Sequence, residues 1–154
     1  MISVRAVVLG DQQVVARLEG LTPRIQASVV GALNEYSQEL SGTIKEDKLS
    51  GQVLNVQTGA LRDSITPLEA VQGEVMSGGA GGGAGIVYAA IHEYGGTITA
   101  KRAPYLRFRT ADGRWHAVKS VVMPERSYMR SSFRETYEQG LQLVRDAVME
   151  GVSA

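Results

Sequence analysis

Three observations predict an α+β fold. Two long stretches, one in each half of the 154-residue chain, carry apolar residues every three or four positions. Between them lie short runs of alternating apolar and polar residues broken by glycine, which is the patterning of strands and turns. Hydrophobic residues make up 44% of the chain and charged residues 21%, so one core can be buried, and the length suits one domain over 1–154. The predicted architecture is an antiparallel sheet with a long N-terminal-half helix and a C-terminal helix packed on it, plus an extended basic β-hairpin.

The elements follow in order. Ile2, Val4, Ala6 and Val8 alternate with Ser3 and Arg5, which predicts a half-buried strand ended by Gly10-Asp11. A short amphipathic helix over Gln12 to Glu19 is expected next. Thr22-Pro23 then offers a capping hydroxyl and a proline at the first helical position, so a long helix is expected to start there. Its stripe is Ile25, Val29, Leu33, Tyr36, Leu40 and Ile44; Gly31 and Gly42 either permit close packing or mark its end.

Lys48 to Gln57 has weak periodicity and reads as a loop, and Thr58-Gly59-Ala60-Leu61-Arg62 as a capped helical turn. Ile65 to Val71 and Glu74 to Ser77 read as two strands joined at Gln72-Gly73. The glycine-rich run 78–85 has almost no side chains to bury and is expected to be a mobile loop. Ile86 to Glu93 predicts one or two helical turns, with Tyr94-Gly95-Gly96 as the exit and Thr97 to Ala100 extended.

A basic hairpin is expected over 98–123. Tyr105, Arg107 and Arg109 alternate with Leu106 and Phe108, Ala111-Asp112-Gly113 supplies the turn, and Trp115 to Val122 returns. Met123-Pro124 closes it. The last helix carries Met129, Phe133, Tyr137, Leu141, Val144 and Val148 as its expected core stripe.

Most catalytic chemistry finds no support in the residues. There is no cysteine, and His92 and His116 are the only imidazoles, so a zinc site lacks ligands. The glycine run satisfies a relaxed dinucleotide pattern, yet the strand–helix–strand unit and the later acidic residue are missing. No Gly-Lys dipeptide exists for a phosphate-binding loop. His92-Glu93 would need a second histidine at 96, where Gly96 stands. No Gly-x-Ser-x-Gly surrounds any serine. No enzyme activity, cofactor, metal site, membrane-spanning helix or signal peptide is therefore expected.

Charge is the more informative property. Sixteen basic and sixteen acidic residues cancel, but they are segregated. From Ile98 to Arg134, nine basic residues face Asp112 and Glu125, giving +7, and the remainder of the chain is −7. The hairpin's cations are interleaved with Tyr105, Phe108 and Trp115, a combination suited to an acidic protein surface or to phosphates with stacking. A two-stranded ribbon cannot bury both its faces, so Leu106 and Phe108 call for a neighbour. The candidate interface is Arg102, Tyr105, Arg107, Phe108, Arg109, Arg114, Trp115, Arg126 and Arg130.

Three segments in order resemble a known family: Thr58-Gly59-Ala60-Leu61-Arg62-Asp63-Ser64-Ile65, Tyr88-Ala89-Ala90-Ile91-His92-Glu93-Tyr94-Gly95-Gly96, and Met123-Pro124-Glu125-Arg126-Ser127-Tyr128-Met129-Arg130. They are similar to the small tail-completion or head–tail joining proteins of long-tailed double-stranded DNA phages, over roughly Thr22 to Val148. The 78–85 run and the 98–122 hairpin are longer than the family's minimal pattern. The resemblance implies a non-enzymatic virion protein at the head-proximal end of the tail, assembled in the host bacterial cytoplasm. It implies a ring, with a hexamer as the expected closure, that contacts the tail terminator or tail tube and the head connector, with packaged DNA in the lumen. Leu61, Arg62, Tyr88, His92, Glu93, Tyr94, Gly95, Pro124, Arg126 and Tyr128 are then mainly structural motif positions. The alternative function is a nucleic-acid-binding module built on the hairpin.

Overall fold

The computed structural model describes residues 11–51, 53–54, 58–71, 76–110 and 112–153. The strand expected over Ile2 to Leu9 lies outside them, as does the turn expected at Gln72-Gly73. The chain is α+β, with two long helices and three antiparallel ladders of short strands.

Helix α1 spans Asp11–Thr43 and runs on into a π-type turn, Ile44–Lys48. The helix expected to begin at Thr22-Pro23 is thus the later part of a longer one, with Pro23 inside it. A proline there removes the hydrogen bond to the carbonyl four residues upstream; Pro23 is exposed, so water can take over that carbonyl. The expected stripe is the buried one. Val29, Tyr36, Leu40 and Ile44 are buried and Ile25 and Leu33 pack beside them.

Helix α4 spans Met129–Ser153 and packs along α1. Here the expected stripe holds in part, since Met129, Val144 and Val148 pack against the core, and is corrected at Phe133 and Tyr137. The buried residues of α4 are Ser132, Thr136, Gly140, Ala147 and Gly151, whereas Phe133 and Tyr137 are 47% and 45% exposed. The reason is how closely the helices approach. A Cβ on Gly140 would stand 2.8 Å from the Tyr36 ring, and one on Gly151 2.8 Å from the Ile25 Cα. Tyr36 therefore fills a hole that only a glycine leaves open, and its hydroxyl hydrogen-bonds with Thr136 Oγ1 at 3.1 Å. Neither Gly31 nor Gly42 serves close packing, since each has open space where a Cβ would stand, but the α-helical stretch does end beside Gly42, at Thr43.

The sheet is also corrected. Three separate two-stranded ladders form in place of one sheet. After the turn helix α2 (Ala60–Asp63), β1 (Thr66–Val71) pairs with β2 (Ser77–Gly81). Half of the run expected to be a mobile loop is thus strand β2. Its glycines are fixed by proximity: a Cβ on Gly78 would stand 2.9 Å from Ser37 Oγ and 3.0 Å from the Leu33 carbonyl oxygen of α1. Two polar side chains of α1 stitch the ladder down. The Gly79 N–H donates to Ser37 Oγ at 2.8 Å and the Ala70 N–H to Asn34 Oδ1 at 2.8 Å.

Helix α3 (Ala89–Tyr94) leads through Gly95 and Gly96, at φ 69° and 140°, into β3 (Gly96–Thr99). Then come β4 (Leu106–Arg109), β5 (Trp115–Val118) and β6 (Ser120–Met123). The return arm expected as one strand over Trp115 to Val122 is two, because β5 pairs with β4 and β6 pairs with β3. The Ala100 N–H to Lys119 carbonyl bond, 3.0 Å, extends the β3–β6 ladder beyond the Thr99–Ser120 pair.

The main core gathers Tyr36, Leu40, Ile44, Leu61, Ile65, Ala89 and Tyr128 with Leu49 and Leu54. The last two come from the stretch expected to be only a loop. Its backbone folds back through Leu54 N–H to the Lys48 carbonyl at 3.0 Å, which turns both leucines inward.

Candidate functional site

Two constellations stand out, a clasp at the start of α4 and a cationic ribbon. The clasp is centred on Glu93, the penultimate residue of α3, which is only 5% exposed. One carboxylate oxygen accepts from the Tyr128 N–H at 2.8 Å and the Met129 N–H at 2.9 Å. The other accepts from Ser127 Oγ at 3.0 Å, the Arg130 N–H at 3.1 Å and Arg130 Nε at 2.9 Å. Those backbone N–H groups are the ones a helix start leaves without intrahelical acceptors, and the helix dipole favours a negative charge there. Glu93 thus caps α4 from another element.

Burial pushes the Glu93 carboxyl up, and the opposing hydrogen bonds from Met129, Arg130 and Tyr128 outweigh it, holding the group below the ordinary glutamate value. Arg130 also reaches the Glu93 carbonyl and Glu125 Oε1, both at 2.9 Å, and its guanidinium lies 4.6 Å from the centre of the Tyr94 ring. Gly95 lets the chain pass close: a Cβ there would stand 2.7 Å from the Glu125 nitrogen. The Arg126 N–H donates to the His92 carbonyl at 2.8 Å. Desolvation, then the Arg126 charge, holds His92 below its ordinary value, and its Nδ1 is buried without a hydrogen-bond partner. Pro124, exposed, follows directly on β6 and ends that ladder.

The remaining motif residues serve the core. Leu61 and Tyr128 pack with Ala89 around Gly83, whose N–H is held by Ser64 Oγ at 2.9 Å. Burial, then the negative charge of Glu93 and the Tyr94 phenol, pushes the Tyr128 hydroxyl up to about 12, so it stays protonated. Tyr88 meets His92 edge to face at 5.9 Å. Arg62 is exposed and contributes its carbonyl to the Ile65 N–H.

The ribbon is β4 and β5. Its register pairs Leu106 with Val118, Arg107 with Ala117, Phe108 with His116 and Arg109 with Trp115. Residues directly opposite share a face, so the two faces differ in chemistry. One carries half-buried Leu106, Phe108 and Val118, with Phe108 stacked on His116 at 5.6 Å. The other carries Arg107, Arg109 and Trp115, the indole 73% exposed. The turn is closed by the Gly113 N–H to the Thr110 carbonyl at 2.8 Å and by Arg109 Nε to the Gly113 carbonyl at 2.9 Å. Arg114 sits in that turn beside Asp112 at 3.5 Å. Tyr105 and Arg102 precede β4 and are exposed.

The nine residues expected to form one interface therefore divide. Arg107, Arg109 and Trp115 come together on one face. Phe108 lies on the opposite face, and Arg130 is turned inward by Glu93 and Glu125, so it is not a free cation. Arg126 is exposed but belongs to the clasp. Ser127, Asn34, Ser37 and Ser64 carry structural bonds that nothing in the apolar periodicity marks.

Comparison of the chain with protein-family models, with curated proteins and with solved structures gives no match. Among the described residues no helix is long and apolar enough to cross a membrane, and no group of three metal-ligating side chains is gathered.

Proposed function

We propose that this chain is a structural, non-enzymatic subunit of a phage virion that closes into a ring at the head-proximal end of the tail and joins the tail to the head connector. The observation that carries the proposal is the two-faced ribbon. Its strands find their extensive packing in each other, and among the described residues neither Arg107 nor Arg109 is in an ion pair, the Arg109 Nε being held by the Gly113 carbonyl of its own turn. A heterologous contact repeated about an axis needs one such arm per subunit and one receiving surface. The segregation of +7 in 98–134 from −7 elsewhere favours head-to-tail contact between unlike surfaces. The motif residues then serve as scaffold: the Glu93 clasp fixes where α3 leaves the core and where α4 begins, and so aims the ribbon between them.

Negative-stain electron microscopy and native mass spectrometry of purified protein at low salt test the proposal. Closed rings, weakening as salt rises above about 0.1 M where exposed charges are screened beyond about 10 Å, are the expected result. Monomers at every salt and concentration, with no binding to tail tubes, would reject it.

A second function has its own support in the pairing of Arg109 with Trp115, which suits phosphate contact with base stacking. Nucleic-acid binding would show as a steep fall of affinity with salt, reduced when Arg107, Arg109 and Arg114 are replaced by alanine. No measurable DNA binding at low salt removes it.

A further inference from the structure

Between the close approaches at Gly140 and Gly151, helices α1 and α4 line a groove of about 700 Å³. Its floor is made of small residues, Ala27, Gly31, Ala32 and Ala147, and its rims carry Glu35 from α1 with Asp146 and Glu150 from α4. Gly31 has nothing within 4 Å of where a Cβ would be, so the floor is open to a large side chain. All three carboxylates are exposed. Asp146 accepts a hydrogen bond from Gln142 at 2.8 Å, and among the described residues neither Glu35 nor Glu150 is in an ion pair. No lysine or arginine lines the groove.

We infer that this groove is the seat for the Arg107–Arg109–Trp115 face of a second copy of the chain. The inference rests on the ring proposal and names the receiving surface that proposal leaves open. Charge is complementary, three carboxylates meeting two guanidinium groups that are in no ion pair among the described residues of their own subunit. Spacing is complementary as well. Asp146 and Glu150, four residues apart on a helix, are offset by about 6 Å along its axis. Arg107 and Arg109, two residues apart on a strand, are offset by about 7 Å. A ribbon laid along α4 therefore brings each guanidinium opposite a carboxylate. The Trp115 indole, cross-strand from Arg109, is then delivered to the glycine and alanine floor. Ribbon and groove are different surfaces of one chain, so the contact is heterologous and propagates to a ring.

Charge reversal tests the seat. A ribbon variant, Arg107→Glu with Arg109→Glu, and a groove variant, Glu35→Lys with Glu150→Lys, change only exposed residues, and circular dichroism melting checks that both fold. Each alone is expected to lose ring formation in native mass spectra. Mixed in equal amounts they are expected to regain it as rings alternating the two variants, since each reversed ribbon then meets a reversed groove. Glu46→Lys with Asp47→Lys, of equal charge but outside the groove, is expected to assemble alone like the wild type and not to rescue the ribbon variant. Rings from the groove variant alone, or rescue by the Glu46/Asp47 variant, would overturn the seat while leaving the ring proposal standing. Monomeric wild type would instead remove the ring proposal, and the seat with it.

Discussion

Replacing Glu93 by alanine should destabilise the fold by about 3 kcal/mol. Three backbone N–H groups at the start of α4 lose their acceptor together with Ser127 Oγ and the Arg130 guanidinium. Loss of an ordinary helix cap costs about 1 kcal/mol. Leaving buried N–H groups without an acceptor adds about 1–2 kcal/mol, since water reaches only part of this site. The Arg130 pair adds little, because the arginine side chain is 40% exposed and solvent screens it. For a domain of this size each kcal/mol lowers the melting temperature by about 2–4 °C, so a fall of about 6–12 °C is expected. Glu93→Gln keeps the shape but has one acceptor oxygen, and its amide N–H₂ must face two or more N–H donors, so about 2 kcal/mol is lost.

Neither variant carries the titrating carboxyl, so both differ from the wild type in pH dependence. The folded Glu93 carboxyl lies below its ordinary value of 4.5. Its contribution is therefore complete above that value and disappears as pH falls through the lower folded value. Urea unfolding of wild type and Glu93→Gln at several pH values should show a gap of about 2 kcal/mol at pH 7 that closes in acid. A gap below about 0.5 kcal/mol at pH 7, or one that does not change with pH, would refute the clasp.

Other variants probe the packing and the second titrating group. Gly78→Ala and Gly140→Ala force a methyl onto Ser37 and Tyr36 respectively and should each cost about 1–3 kcal/mol, whereas Gly31→Ala and Gly42→Ala, in open helical positions, should stabilise by up to about 1 kcal/mol; denaturant midpoints separate the pairs. Tyr36→Phe removes the bond to Thr136 and should cost about 1 kcal/mol by the same measurement. His92 should titrate below its ordinary 6.5 by NMR, so the unfolded chain takes up the proton first and stability falls as pH drops below about 6.5; Arg126→Ala should move that titration upward. Trp115→Ala should leave the melting temperature within about 0.5 kcal/mol equivalent of wild type, because the indole is 73% exposed, while ring formation is lost.

Much of the scaffold was legible in the sequence because it is written in large apolar side chains at regular steps. The α1 stripe from Ile25 to Ile44 is one case, and the turns at Gly59 and Gly95-Gly96, where positive φ requires glycine, are another. What periodicity could not show is packing through absent side chains. Gly140 and Gly151 mark the buried face of α4 by having nothing there, so Phe133 and Tyr137 seemed the better core residues. Gly78 and Gly79 looked like a slack loop for the same reason, although it is the nearness of α1 that demands them. The Glu93 cap was hidden because local capping rules look at the residue just before a helix, and this carboxylate comes from 35 residues before Tyr128. On the ribbon, alternation did place Arg107 and Arg109 together. It also put Phe108 on the opposite face, and only the register showed that Trp115 joins the two arginines.

Cryo-electron microscopy of the assembled protein bears most directly on the ring. The expected map has β4 and β5 of each subunit crossing the boundary, with the Trp115 side chain buried against the adjacent subunit. A ring joined through other surfaces, its ribbons free in solvent, would contradict the account.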